Sequence, residues 1–152
     1  MKTVKNISEG SNHTAIELGR FGQLHEYSFM HPKRHQEVKG KVFVGEILKS
    51  TAAELSFTVI PPNTEIPFIH QHHQHEEIYV FIKGSGQFQV DGSIFDVTEG
   101  SVIRISPNGK RTYRNNSELP MTFICIQCQS DSFKNFVVED GFRVDEEINW
   151  GK

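Results

Sequence analysis

The sequence has almost no helical patterning. No window of 12 or more residues carries an apolar stripe at 3.6-residue spacing. It has no apolar run long enough to cross a bilayer. No internal repeat, low-complexity tract, linker or attached DNA-binding segment stands out. The charge excess is small, −3, which gives no electrostatic reason to expect nucleic acid as a partner. The N-terminus, Met1-Lys2-Thr3-Val4-Lys5-Asn6, lacks an apolar stretch of the signal-peptide kind, so a cytoplasmic location is the expectation. Cysteine is scarce: two residues, Cys125 and Cys128. Their C-x-x-C spacing could mark a redox pair. Against that, they fall in an apolar run that reads as a strand, where residues three apart point to opposite faces.

What is present is aromatic and β-prone. Twelve phenylalanines, 36% hydrophobic and 23% charged residues in a chain of 152 describe a globular chain large enough for one core. Short β-rich runs recur at 41–48, 54–60, 77–82, 87–90, 93–97, 101–105, 111–114 and 122–127. Turn signals separate them: Pro61-Pro62-Asn63, Gly84-Ser85-Gly86, Asp91-Gly92 and Pro107-Asn108-Gly109. Many short antiparallel strands predict an all-β sandwich or closed barrel. Residues 1–152 read as one domain, with a barrel core over about 41–138. Residues 1–40 are less regular and read as an extension wrapping it, with loops at 19–22 and 31–34.

The densest chemistry lies in Pro67-Phe-Ile-His-Gln-His-His-Gln-His-Glu-Glu-Ile-Tyr-Val80, which holds four of the eight histidines. In extended chain His70 and His72 share a face, and Glu76 or Glu77 opens the next strand. Two imidazoles and one carboxylate are the usual set for non-haem iron, and also suit Mn, Ni, Zn or Co. A solvated histidine-rich loop is the alternative.

The stretch resembles the first motif of the cupin superfamily, G-x5-H-x-H-x4-E-x6-G, with Thr64, His70, His72, Glu77 and Gly84 at its positions. Thr64 replaces the opening glycine. The second motif, G-x5-P-x-G-x2-H-x3-N, is matched by Gly100, Pro107, Gly109 and Asn116, with one extra residue before the proline. The resemblance implies a cupin-type double-stranded β-helix (jelly-roll) barrel that pairs as a homodimer. It implies one divalent transition metal (Fe, Mn, Ni or Zn) held by His70, His72 and Glu77. The fourth ligand, normally histidine, falls on Thr112.

Alternation places Tyr79 on the face of Glu77, and puts Thr112 and Arg114 on one face. Arg104 stands in an apolar strand, and Gln127 is a polar residue within another. Tyr79, Arg104, Thr112, Arg114 and Gln127 are therefore expected to line a substrate pocket, with Arg104 or Arg114 receiving an anion. Two functions follow. One is a metal-dependent enzyme on a small oxygenated or anionic compound, of dioxygenase-like or sugar-phosphate-isomerase-like chemistry. The other is a non-catalytic small-molecule-binding barrel with weak or no metal.

Overall fold

The computed structural model describes residues 2–134 and 140–151. The chain runs β1 (Lys5–Gly10), β2 (His13–Glu17), a 3-10 helix (Phe21–Glu26), β3 (Ser28–Met30), β4 (Glu37–Lys39), β5 (Lys41–Phe43), β6 (Ala53–Ile60), β7 (Thr64–Glu65), β8 (His75–Lys83), β9 (Ser85–Val90), β10 (Ser93–Thr98), β11 (Val102–Ile105), β12 (Arg111–Asn115) and β13 (Met121–Gln129). Two sheets face each other, one ordered β10-β9-β12-β7 and the other β11-β8-β13-β6-β5. Two hairpins, β1-β2 and β3-β4, stand outside them. The expected all-β jelly roll is what forms.

Local chemistry explains the corners. Asp91 and Gly92 take φ of +49° and +87°, as a tight turn between β9 and β10 requires. Gly84 takes φ +81°, and a side chain there would collide with the Pro120 carbonyl oxygen. That close approach lets the chain leave β8 in one sheet and enter β9 in the other.

Between the sheets lies an aromatic core: Tyr79 and Phe81 from β8, Phe88 from β9 and Phe123 from β13, closed by Ile60, Val97, Ile105, Met121 and Cys125. A second core forms from Leu18, Leu24, Tyr27, Val42, Val44 and Val59, with Leu55 and Phe57 packed against it. Residues 1–40 are more regular than their composition suggests, since two hairpins and a helical turn fall there. They contribute Leu18, Leu24 and Tyr27 to the second core, on the outward face of β5 and β6. The strand expected over 41–48 stops at Phe43, and residues 45–49 form turns. The expected barrel end at 138 lies outside the described residues. Among the described residues no helix is long and apolar enough to cross a membrane.

Candidate metal centre

Strand β8 alternates strictly. Glu77, Tyr79 and Phe81 point inward at 2%, 3% and 1% exposure, and Glu76 points outward. The register pairs Glu77 with Gln127 of β13 and with Ile105 of β11. His70 and His72 lie on the extended segment between β7 and β8. That segment is tied down by its backbone: His70 exchanges hydrogen bonds with Arg111 at 3.1 and 3.0 Å, and the His72 N–H reaches the Pro107 carbonyl at 3.0 Å. Both side chains therefore turn inward towards Glu77. One ligand atom from each of His70, His72 and Glu77 lies within 4.8 Å of the others.

Two buried imidazole nitrogens are orphaned. His70 Nδ1 and His72 Nε2 have no hydrogen-bond partner among the described residues. His72 Nε2 is 3.1 Å from Glu77 Oε1, close enough for a hydrogen bond but not aligned as one. Two acceptor groups crowded without a shared hydrogen suit a common cation between them. Burial first, then the Arg111 charge, pull the His70 pKa down from 6.5 to about 4, so this imidazole is neutral and has a lone pair to offer. For Glu77, burial alone would raise the pKa. The Tyr79 hydrogen bond and the Arg111 charge outweigh it and bring the carboxyl down to about 2.

The carboxylate is asymmetric. Oε2 accepts from the Tyr79 hydroxyl at 2.7 Å and from Arg111 Nε and Nη2 at 2.9 and 2.5 Å. Oε1 accepts from Gln127 Nε2 at 2.6 Å and, more distantly, from the Cys125 thiol at 3.5 Å. Oε1 takes one strong and one weak donor and faces His72 Nε2 at 3.1 Å, while Oε2 takes three strong ones. The donor set fits a divalent ion held by His70, His72 and Oε1 of Glu77. Arg111 adds a buried positive charge that such an ion must tolerate.

Arg111 corrects the expected register of the second motif. The inward residues of β12 are Arg111 and Asn115, which are fully buried, together with Tyr113, packed on the aromatic core. Thr112 turns outward and donates its hydroxyl to the Ile66 carbonyl at 3.1 Å. The position beside the three ligands belongs to Arg111, and the buried asparagine is Asn115. Counting the extra residue before the proline moved each position by one, and a one-residue slip on a strand exchanges its faces.

The other expected pocket residues separate into two groups. Tyr79 and Gln127 are brought to the site as hydrogen-bond donors to Glu77. Arg104 and Arg114 are not. Arg104 is exposed and paired with Glu76 on the outer surface. Arg114 is exposed and held by Glu65 and Gln87. Arg114 and Thr112 share an outer-face cavity of about 200 Å³ with Gln87, Gln89 and Ile94. A second cavity, about 430 Å³, lies at the barrel end beside Glu54, His75 and Gln127. Cys125 and Cys128 are free thiols, one bonded to Glu77 and the other to Glu76, hence on opposite faces. Burial pushes the Cys125 thiol up to about 12.

Lys41 and Thr58 escaped notice in the sequence. They are cross-strand partners on β5 and β6. Thr58 is 3% exposed on the inward face with Ser56, and its hydroxyl has no partner among the described residues. Lys41 is half-buried, and burial holds its ammonium below the usual lysine range. The polar alternation Glu54-x-Ser56-x-Thr58 was the available signal.

The model of the cupin domain matches residues 56–127. A cupin protein from Bacteroides fragilis is 35% identical, with a TM-score of 0.65 over 68% of this chain and 88% of that one. A predicted oxalate decarboxylase from Thermotoga maritima shares the fold at 18% identity and a TM-score of 0.56, over 68% of this chain and 90% of that one. An uncharacterized protein from Methanocaldococcus jannaschii is 28% identical over 79 residues. The match covers 52% of this chain and 62% of that relative, so less than two thirds of its length is spanned. With the jelly roll, the motif residues and a 35%-identical relative in agreement, this chain belongs to the cupin family.

Proposed function

We propose that this cupin holds one divalent transition metal (Fe, Mn, Ni or Zn) through His70, His72 and Glu77, and takes a small oxygenated or anionic compound beside it. The observation that carries this reading is the convergence of the three side chains, with His72 Nε2 unpartnered 3.1 Å from Glu77 Oε1. A bound metal would act as a Lewis acid with positions open to an oxygen-rich ligand. The chain's own residues supply the rest: Tyr79 and Arg111 fix one oxygen of Glu77, and Gln127 orients the other. Dioxygenase-like or sugar-phosphate-isomerase-like chemistry both suit such a site.

A second reading, a stand-alone binding barrel with weak or no metal, is favoured by Arg111. Its guanidinium already neutralises Glu77. Metal analysis of untagged protein, stripped with chelator and reloaded, separates the two. One ion per chain, lost in the His70→Ala/His72→Ala double variant with the fold retained, is the expected result. No ion retained at micromolar Fe, Mn, Ni or Zn leaves the binding barrel. We also expect a homodimer. The exposed Ile94 and Phe95 on edge strand β10 support pairing, and sedimentation showing monomer alone at micromolar concentration would count against it.

A further inference from the structure

The barrel interior contains a cation without a counter-ion among the described residues. Lys41 has no ion pair and no hydrogen bond among the described residues; its ammonium lies 4.8 Å from the centre of the Phe43 ring. Phe43 pairs with Ser56, and Ser56 with Cys125, whose other neighbour is Tyr79. Lys41 thus extends from its own row towards the end of the barrel that holds Glu77. It lies within electrostatic reach of Glu77, Glu54 and His70, yet no carboxylate of the described residues comes within ion-pair distance of it.

Opposite Lys41 stands Thr58, with a hydroxyl that is buried and unpartnered. Cross-strand partners carry Cβ atoms about 5 Å apart. Both strands have an apolar outward face, so exchanging polar for apolar residues inside would have been easy. Buried polar groups are normally satisfied, and an exception calls for a missing partner. A half-buried amine, and an orphaned hydroxyl on the cross-strand partner of its residue, ask for an acceptor with negative charge.

We propose that Lys41 and Thr58 form the anion-binding part of this site, receiving a carboxylate of the small compound whose other polar end lies at His70, His72 and Glu77. This rests on the reading of the interior as a small-molecule site. A carboxylate fits better than a phosphate. The patch offers one positive charge and one hydroxyl, matching one charge and two oxygens, whereas phosphate recruits several donors, typically from arginines. The arginines expected for anion recognition, Arg104 and Arg114, are already paired on the outside.

The test is calorimetric titration of the full chain with malonate, dimethyl malonate and inorganic phosphate, before and after metal reloading. The variants are Lys41→Met, Lys41→Arg and Thr58→Val. Malonate should bind the wild type saturably, and the neutral diester should not. Lys41→Met should weaken malonate by about tenfold or more, with Lys41→Arg recovering part of it and Thr58→Val losing less. Lys41→Met should melt no lower than the wild type, because the amine it removes has no ion pair or hydrogen bond among the described residues. Equal malonate affinity in wild type and Lys41→Met overturns the proposal, as does malonate binding to neither. Phosphate bound more tightly than malonate and lost in Lys41→Met overturns the choice of carboxylate. Metal content, measured in parallel, reports on the ligand triad separately: a chain that takes no metal but binds malonate through Lys41 loses the metal reading and keeps this one.

Discussion

Arg111 has no accessible surface, and its guanidinium bonds Glu77 Oε2 through two nitrogens and the Gly109 carbonyl through a third. It stands where the family's second motif places an imidazole. A guanidinium stays charged and offers no lone pair, so it stabilises Glu77 while repelling an incoming cation. Arg111→His should raise divalent-metal affinity by about tenfold or more, the scale at which even groups outside the ligand set act. A competition titration against a fluorescent chelator measures it. Unchanged affinity would mean that Arg111 does not control the site. Thr112→His should leave metal affinity unaltered, because residue 112 faces outward.

At the scale of elements, β12 is locked by its last residue. Asn115 Nδ2 lies 2.8 to 3.0 Å from the carbonyls of Ile60, Pro61 and Leu119, and its Oδ1 accepts from Ser117. This pins the ends of β6 and β12 to the turn before β13. Asn115→Ala removes the side-chain donor from the buried Ile60 carbonyl and from that of Pro61, and leaves Leu119 only the Ser117 hydroxyl; it should cost about 3 kcal/mol, a fall in Tm of about 6 to 12 °C. The neighbouring Asn116 is exposed, and Asn116→Ala should shift Tm by about 1 °C or less. Thermal melts of the two variants check the strand register directly; equal losses would contradict it. Hairpin β3-β4 makes a looser connection. Phe29 packs edge-on against Phe43 at 5.0 Å, and Arg34 lies 4.0 Å from the centre of the Phe68 ring, next to His70. It touches both the strand of Lys41 and the segment of the histidines.

For the whole molecule, the interior charges set the response to acid. In the metal-free protein His70 titrates near 4 when folded against 6.5 ordinarily, and Glu77 near 2 against 4.5. In both windows the unfolded chain binds more protons than the folded one, so stability rises with pH. The His70 contribution is complete above pH 6.5 and is lost towards 4. The Glu77 contribution is complete above 4.5 and is lost towards 2. Tm should be level above pH 7 and fall by about 5 °C or more between pH 7 and 4. His70→Ala should remove the upper part of that fall. A Tm that stays level to pH 4 in the wild type would show that these groups do not titrate as their surroundings dictate.

The sequence by itself determined most strands of the barrel, their turns and the spacing of the triad. Alternation along 77–82, the Asp91-Gly92 turn and the spacing of His70, His72 and Glu77 are local features, readable from period-2 geometry and the φ that each turn demands. Tertiary structure alone decided which face of a strand looks inward. In β6 both faces are covered: Leu55, Phe57 and Val59 lie in or against the N-terminal core, while Ser56 and Thr58 face the barrel. Periodicity separates two faces but cannot rank them when both are buried, so Lys41 and Thr58 stayed hidden. The register of β12 came out one residue off, with Thr112 in place of Arg111, for a related reason. Its sequence, Arg-Thr-Tyr-Arg-Asn, is polar or aromatic on both faces. What settles it is Arg111 meeting Glu77 across 34 residues of chain and Asn115 meeting Ile60 across 55. Those pairings satisfy buried charge and buried carbonyls, and neither exists until the two sheets close over each other.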